Sequence, residues 1–204
     1  MSKLNVNEMG FNSMMEHMYK TLYGDTDTET TTSSSIMTLP KELLDESATA
    51  HGYKSSIVVN DFGYFLATAP DPTIADSQEK KSNSQLYAPV FAAVVELTHN
   101  IEVVASKWMI CGTTLTQLTF SVLKRGGSSQ DPQDTLQISN SVEIKNVNVK
   151  SLLLNERANK MLLTFSYEQL MVTNFVSDKK SIQQGMVKSL FNKVTGAAAS
   201  ENPQ

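Results

Sequence analysis

The sequence predicts a mainly-β domain, a barrel or two-sheet sandwich with one short helix between its strands and non-core extensions at both ends. Several segments alternate apolar and polar residues with a period of two. The best patterned, residues 118–149, "LTFSVLKRGGSSQDPQDTLQISNSVEIKNVNV", reads as two strands joined by a long polar loop. One segment, "VVASKWMICG", instead fits about two turns of helix ended by Gly112, a helix-stop signal.

Residues 1–23 predict a short helix, because Met9, Met14, Met15, Met18 and Leu22 recur at roughly helical spacing. Such a Met-rich face is adaptable. It fits a partner as well as it fits the chain's own domain. Residues 24–35, "GDTDTETTTSSS", have no large apolar side chain and read as a linker or exposed loop. A domain boundary is expected near Ser35. "SIMTLP" predicts a short strand ending at Pro40, which withholds an N–H from a ladder. "KELLDESATAHGYK" reads as a loop or a turn of helix, and "SSIVVNDFGYFLA" as a strand with a bulge or bend at Gly63. Residues 68–86 hold two prolines and five charged residues, Asp71, Asp76, Glu79, Lys80 and Lys81, with little to bury. That composition predicts a long loop, and long loops in compact domains are commonly functional.

In "VFAAVVELTHNIEVV", Val95, Leu97, His99 and Ile101 alternate with Glu96, Thr98 and Asn100, the pattern of a half-buried strand. The helix that follows carries the only tryptophan, Trp108, and its apolar face is expected to plug an open end of the β-structure. In the long hairpin, Leu118, Phe120 and Val122 share one face. Val142 and Ile144 are in phase with each other but not with Val147 and Val149. That slip near Lys145–Asn146 predicts a bulge or corner, as a curling sheet needs. "KMLLTFSYEQLMV" reads as one strand, apolar on both faces near Leu162 and so buried on two sides there. In the tail, Ile182, Met186, Leu190 and Val194 predict a short amphipathic helix that then frays.

The bulk numbers narrow the function classes. The chain has 204 residues, 40% hydrophobic and 19% charged, enough for one domain with a real core plus tails. Its net charge of −4 argues against a general nucleic-acid binder, which needs surplus Lys and Arg. One cysteine, Cys111, excludes an intramolecular disulfide and an all-Cys metal site, and it reads as a small buried hydrophobe. No run of 18 apolar residues and no secretory signal are evident, so a reducing cytoplasm is expected, with export by a signal-independent route left open.

No reactive constellation stands out. His17, His51 and His99 do not lie at metal-ligand spacing, and His99 reads as a satisfied core histidine on a strand face. A Cys111–His99 pair has no sequence signature. "LKRGGSS" lacks the GxxxxGK[ST] of a phosphate loop. Asp71, Asp76 and Glu79 sit in a loop, a poor place to tune an acid–base pair. Asp61 beside Phe62 reads as a turn aspartate. No enzyme and no cofactor are indicated.

The order of segments carries more. "ATAHGYKSSIVVNDFGYFL", the long loop, "VVELTHNIEVVASKWMICGTTLTQLTFSVLKRGG", "TLQISNSVEIKNVNVKSLL" and "NKMLLTFSYEQLMV" together resemble the haemolysin-coregulated protein (Hcp) family. These are the tube proteins of type VI secretion systems, related to phage tail-tube proteins. In the family a histidine-containing loop precedes the second strand, as His51 precedes "SSIVV". "ELTHNIEVVASKWMICG" matches a strand–helix–glycine passage, Arg125–Gly127 a strand ending in Arg and a Gly-rich loop, and "LTFSYEQL" the last strand. The resemblance spans roughly residues 34–176 and leaves an N-terminal extension and linker at 1–33 and a tail at 177–204.

The resemblance implies an Hcp-like or tail-tube-like β-barrel of two packed sheets, assembled into homohexameric rings that stack into a tube. It implies sheath, spike, baseplate and effector proteins as partners, and a bacterial cytoplasmic protein secreted without a signal peptide. In a cyclic ring each subunit presents two different patches. Polar faces rich in Ser, Thr and Asn would suit a water-filled lumen. Asp71, Asp76, Glu79, Lys80 and Lys81 match the family's extended loop toward the neighbouring ring and would set stacking register. A monomeric adaptor or chaperone for effectors using the Met-rich helix, and a phage-type tail-tube protein, are the alternatives.

Overall fold

Closure of one antiparallel sheet around an aromatic core organises the chain. The computed structural model describes residues 6–24, 34–40, 43, 47–68, 86–126, 135–177, 183–192 and 198–201. Its elements are α1 (Val6–Tyr23), β1 (Ser34–Thr38), β2 (Thr49–Ala50), β3 (Tyr53–Lys54), β4 (Ser56–Thr68), β5 (Leu86–Glu96) and α2 (Ile101–Ile110). There follow β6 (Leu115–Gly126), β7 (Thr135–Asn155), β8 (Lys160–Ser166), β9 (Gln169–Ser177), β10 (Gln183–Asn192) and β11 (Ala198–Glu201). The large sheet runs β11-β10-β9-β7-β6-β1-β4-β5-β8, and a further β7–β8 pairing closes its last six strands into a barrel. Strands β9, β10 and β11 continue outward from β7 as an arm.

β7 makes this possible by serving two partners along one edge. Its residues Asn140–Lys145 pair with β9, and Asn148–Asn155 pair with β8. Between them Asn146 takes a left-handed φ of 51°, a conformation that Asn tolerates better than most residues. The opposite chain turns at the same point. Glu168 N–H donates to the Lys145 carbonyl at 3.0 Å, and Asn146 Nδ2 donates to Glu168 Oε2 at 2.6 Å. The corner accounts for the phase slip in the sequence: Val142 and Ile144 are buried before it, Val147 and Val149 after it. It also corrects the single strand expected over 160–172, which is broken at Tyr167–Glu168 where it follows the bend of β7.

The interior is aromatic and aliphatic. Phe91 and Phe120 lie 4.4 Å apart by ring centroids, with Phe62 stacked on Phe91 and tilted to Phe120, and Phe165 tilted to Phe91 and edge-on to Phe120. Helix α2 presents Ile101, Ala105 and Trp108 to this same core, as expected of a plug. It stops at Gly112, φ 61°, in a Schellman arrangement: Thr113 N–H donates to the Trp108 carbonyl at 2.9 Å and Gly112 N–H to Met109 at 3.3 Å. A second cluster lies on the outside of the barrel, where Met18 and Leu22 of α1 cover Ala92, Val94 and Leu162. Leu162 is thus buried outward while Met161 and Leu163 are buried inward, the two-sided burial read from the sequence. In a third cluster the β2–β3 hairpin, turning at His51 and Gly52 with positive φ at both, lays Ala50 on Ile36 and Leu123.

Four sequence expectations are corrected. β5 ends at Glu96, and the predicted alternation through Ile101 gives way to a turn, because His99 and Asn100 both have φ of 54° and cannot continue a strand. Gly63 is not a bulge. It pairs regularly with Ala92, and the register shifts fall at Val59/Asp61 and Phe65/Ala67. Its small size matters because α1 crosses there: a Cβ would meet Met18 Cε at 3.1 Å. Asp61 lies within β4 rather than in a turn. The amphipathic helix expected in the tail is replaced by β10, paired with β9 over its length, and β11 beyond it. Met186 and Leu190 fit both periods, and the open edge of β9 offered a ladder that an isolated helix could not match. Ile182 and Val194 lie outside the described residues.

Two predictions follow from the core and its corner. Asn146→Val, which loses the bond to Glu168 and forces a β-branched residue to positive φ, should destabilise by about 2–4 kcal/mol. Asn146→Gly, which loses only the bond, should cost about 1 kcal/mol. Equal losses in urea denaturation would remove backbone strain from the account. Tyr167 is buried with its hydroxyl unpartnered among the described residues, and burial, with a smaller contribution from Tyr64, pushes its phenol well above the ordinary range. The folded state therefore favours the neutral phenol, so its contribution is intact below about pH 10 and lost as pH rises beyond the unfolded value. Tyr167→Phe should add about 1 kcal/mol at neutral pH and flatten the stability loss above about pH 10. An unchanged alkaline limb would contradict this.

Candidate assembly surfaces

Helix α1 occupies the outer face of β4, β5 and β8, and side chains at both ends of the contact fasten it. Met14 and Met15 flank the buried Met18 and Leu22. Phe11 meets Phe65 edge-on at 6.4 Å, and Gly10 is small because a Cβ there would lie 2.5 Å from Phe65 Cε2. Asp61 accepts from His17 Nε2 at 2.8 Å and from Thr21 Oγ1 at 3.3 Å. The C-terminal carbonyls of the helix, which have no partner inside it, are met from below. Asn155 Nδ2 donates to Leu22 O at 2.8 Å, and the buried Lys160 Nζ donates to Thr21 O at 3.0 Å. A cation at a helix C-terminus also opposes the helix dipole. On the solvent side the hydrogen bond and charge of Lys20 hold the Glu16 carboxyl below its usual range. Of the two readings of the Met-rich helix, the structure shows the one in which it packs on its own domain.

The residues weighed for chemistry do not converge. His51 is exposed at the β2–β3 turn and His99 is exposed in the turn before α2, not in the core. Cys111 is exposed, not buried, because it caps the C-terminus of α2. It and His99 lie at opposite ends of a ten-residue helix, about 15 Å apart, so they cannot act as a pair. Among the described residues no three His, Cys, Asp or Glu side chains group as a metal site would need. No described helix is long and apolar enough to cross a membrane. Asp71, Asp76, Glu79, Lys80 and Lys81 lie outside the described residues, whose flanks pair as Thr68 with Leu86 at the end of the β4–β5 hairpin.

Two outward surfaces stand out, the first of them partly covered, since Ser121 and Thr173 on it are buried. On β6, β7, β9 and β10 the register sets Ser121, Ser141, Thr173 and Lys188 in one row and Thr119, Glu143, Met171 and Leu190 in the next. This face is chiefly polar and becomes apolar toward β10. At the other end of β7, an open groove of about 460 Å³ runs between α2 and Leu154, lined by Glu102, Val103, Ile110 and Cys111. Sequence reading found the polar strand faces but missed the arm that extends them and the groove. The groove was hidden because Val103 and Ile110 were read as ordinary helix residues, and the arm because it was read as a helix.

The fold as a whole has counterparts among solved structures. A type six secretion system protein superposes with a TM-score of 0.60 at 12% identity, over 81% of this chain and 99% of its own. Hcp1 from Salmonella typhimurium matches with a TM-score of 0.56 at 9% identity, over 83% and 100%. The fold is that of the Hcp proteins. Hcp1 from the E. coli EAEC 042 pathovar matches at 13% identity with a TM-score of 0.50, over 83% of this chain and 96% of its own. The Hcp fold therefore lies almost whole within this chain, with residues to spare. No family model matches the sequence, and no curated protein sequence matches it.

The clasp on α1 predicts a local effect. Lys160→Met keeps the stem but leaves the Thr21 carbonyl without its donor, which should weaken the docking of α1 by about 1–3 kcal/mol. Amide exchange should accelerate in α1 while the strands of the barrel hold their protection. Equal acceleration in both would show that the helix and barrel open only together.

Proposed function

We propose that this chain is a structural tube subunit of a type VI secretion machine, forming rings that stack into a tube through which, or with which, effectors are delivered. The observation that carries the reading is the closed Hcp barrel, complete with its inter-strand helix and built without any cluster of reactive side chains among the described residues. A subunit of this kind acts by shape. It needs a closed rigid body, two different contact patches for a cyclic ring, and a face that lets cargo slide. Gln117, Thr119 and Ser141 on the outer face of β6 and β7 supply hydrogen-bonding groups at half-buried positions, and the two charges there, Glu143 and Lys145, pair with each other at 3.1 Å.

Within this reading the partners are copies of the same chain, then the sheath, spike and baseplate proteins and the effectors, with no nucleic acid and no membrane insertion. The protein is made in the bacterial cytoplasm and leaves it without a signal peptide. Residues 34–176 form the tube-building unit, 1–33 an extension that braces it from outside, and 177–204 a tail that widens its sheet. Asp71, Asp76, Glu79, Lys80 and Lys81 mediate ring stacking through the segment beyond Thr68 and Leu86. The adaptor alternative has less support, because the methionines it would use, Met14, Met15 and Met18, are turned onto the barrel.

Light scattering across a concentration series tests the proposal. A mass near six times 22.5 kDa is the expected result. A mass of 22.5 kDa at every concentration, together with the absence of rings in electron micrographs, would sink it.

A further inference from the structure

The methionines of this chain stand in three settings, and only one of them ties the sulfur to the docking of a whole element. Met37 and Met161 are fully buried in the main core. Met109 on α2 and Met186 on β10 are exposed, and Met171 on β9 is half-buried beside Leu190, its register partner. Met14, Met15 and Met18 form the seam between α1 and the barrel wall. Met18 is 2% exposed, whereas Met14 and Met15 are half-buried at the margin of the seam, so solvent meets part of each side chain.

The seam has no place for a polar atom. A Cβ on Gly63 of β4 would lie 3.6 Å from Met14 Sδ, so that sulfur rests against β4 where Gly63 pairs with Ala92 in the ladder. The other residues under the helix, Ala92, Val94 and Leu162, have no side-chain donor. The donors along the contact stand toward the C-terminal end of the helix and are already engaged. His17 and Thr21 bond to Asp61, Asn155 to the Leu22 carbonyl and Lys160 to the Thr21 carbonyl. Oxidation to the sulfoxide turns an apolar thioether into a polar group that needs a donor. At Met14 the new oxygen finds none while the helix is docked and finds water once it is released. At Met15 the oxygen must turn out of the seam, which gives up the packing of that side chain. Oxidation therefore favours release, by about tenfold for an oxygen left without a donor.

We propose that Met14 and Met15 are an oxidation site that frees α1 from the barrel, with hydrogen peroxide as the reactant. The sulfur lone pair takes one peroxide oxygen, the O–O bond breaks, and a proton passes to the other oxygen so that water leaves. The thioether is oxidised and the peroxide is reduced. Reduction of the sulfoxide restores the seam. Release leaves the apolar wall at Ala92, Val94 and Leu162 without its cover, so the reaction turns a closed face of the barrel into an open one. The inference is independent of the tube reading.

Hydrogen peroxide added to the full-length protein tests it, with oxidation at each methionine read by peptide mass mapping and helix docking read by amide exchange. Met109 and Met186 should oxidise first and leave exchange in α1 unchanged. Met14 and Met15 should follow, with exchange in α1 about tenfold faster while β4, β5 and β8 hold their protection. Met14→Leu combined with Met15→Leu keeps the apolar contact without an oxidisable sulfur, so its α1 should stay slow after the same treatment. Methionine sulfoxide reductase with dithiothreitol should return the oxidised protein to slow exchange. The proposal is overturned if Met14 and Met15 stay reduced when Met109 and Met186 are fully oxidised, or if their oxidation leaves α1 unchanged. It is also overturned if the double-leucine variant responds like the unmodified protein. Equal acceleration in the strands overturns it too, because the reaction would then unfold the barrel and not free the helix. The order of oxidation and its effect on exchange are both read in the unmodified protein, so they decide the matter even where the double variant folds poorly.

Discussion

One strand has to satisfy three neighbours, and the rest of the structure depends on how it does so. Along one edge β7 pairs with β6; along the other it pairs first with β9 and then with β8. A straight strand would keep both partners in one flat sheet, leaving edge groups of β8 and β5 open. The left-handed turn at Asn146, matched across the ladder by Glu168, redirects the second half of β7 so that β8 can meet β5. Closure removes the edges of six strands at once, and a closed sheet has no unpaired ladder on which unrelated chains could add. Beyond the closure β9 and β10 extend the sheet from β7, with Leu170 and Phe191 still buried in the main core.

Closure also creates an inside too small for anything but side chains. Phe91, Phe120 and Phe165 fill it, and α2 covers it with Ile101, Ala105 and Trp108. Among the described residues the polar groups of the barrel wall face outward or hold elements together. Lys160, His17 and Asp61 illustrate this. Each is a residue type that an active site could use, and each here fixes α1 to the barrel wall. These three residues are structural fasteners.

Where the barrel wall is apolar on the outside, at Ala92, Val94 and Leu162, the chain covers it with its own N-terminal helix. At Ile36 and Leu123 it uses the β2–β3 hairpin. Elsewhere apolar side chains stay exposed, among them Val103 and Ile110 of α2, Met186 and Leu190 of β10, and Tyr23 and Tyr64 near α1.

Much of this was legible in the sequence, because period-two alternation, the helix stop at Gly112 and the phase slip at Asn146 are local consequences of backbone geometry. The double burial at Leu162 was legible too, since a strand apolar on both faces has something on each side. The tertiary structure decided the remainder. Met186 and Leu190 fit a helix and a strand alike, and the open edge of β9 chose the strand. His99 continues an alternating pattern on paper, but its left-handed backbone places it in the turn that launches α2. Cys111 reads as a buried hydrophobe by composition and is exposed because a helix end brings it to the surface. Local patterns determine which segments are strands and where they bend, since those follow from a residue and its near neighbours. Which surfaces stay uncovered depends on elements far apart in sequence meeting in space, and only the closed barrel determines that.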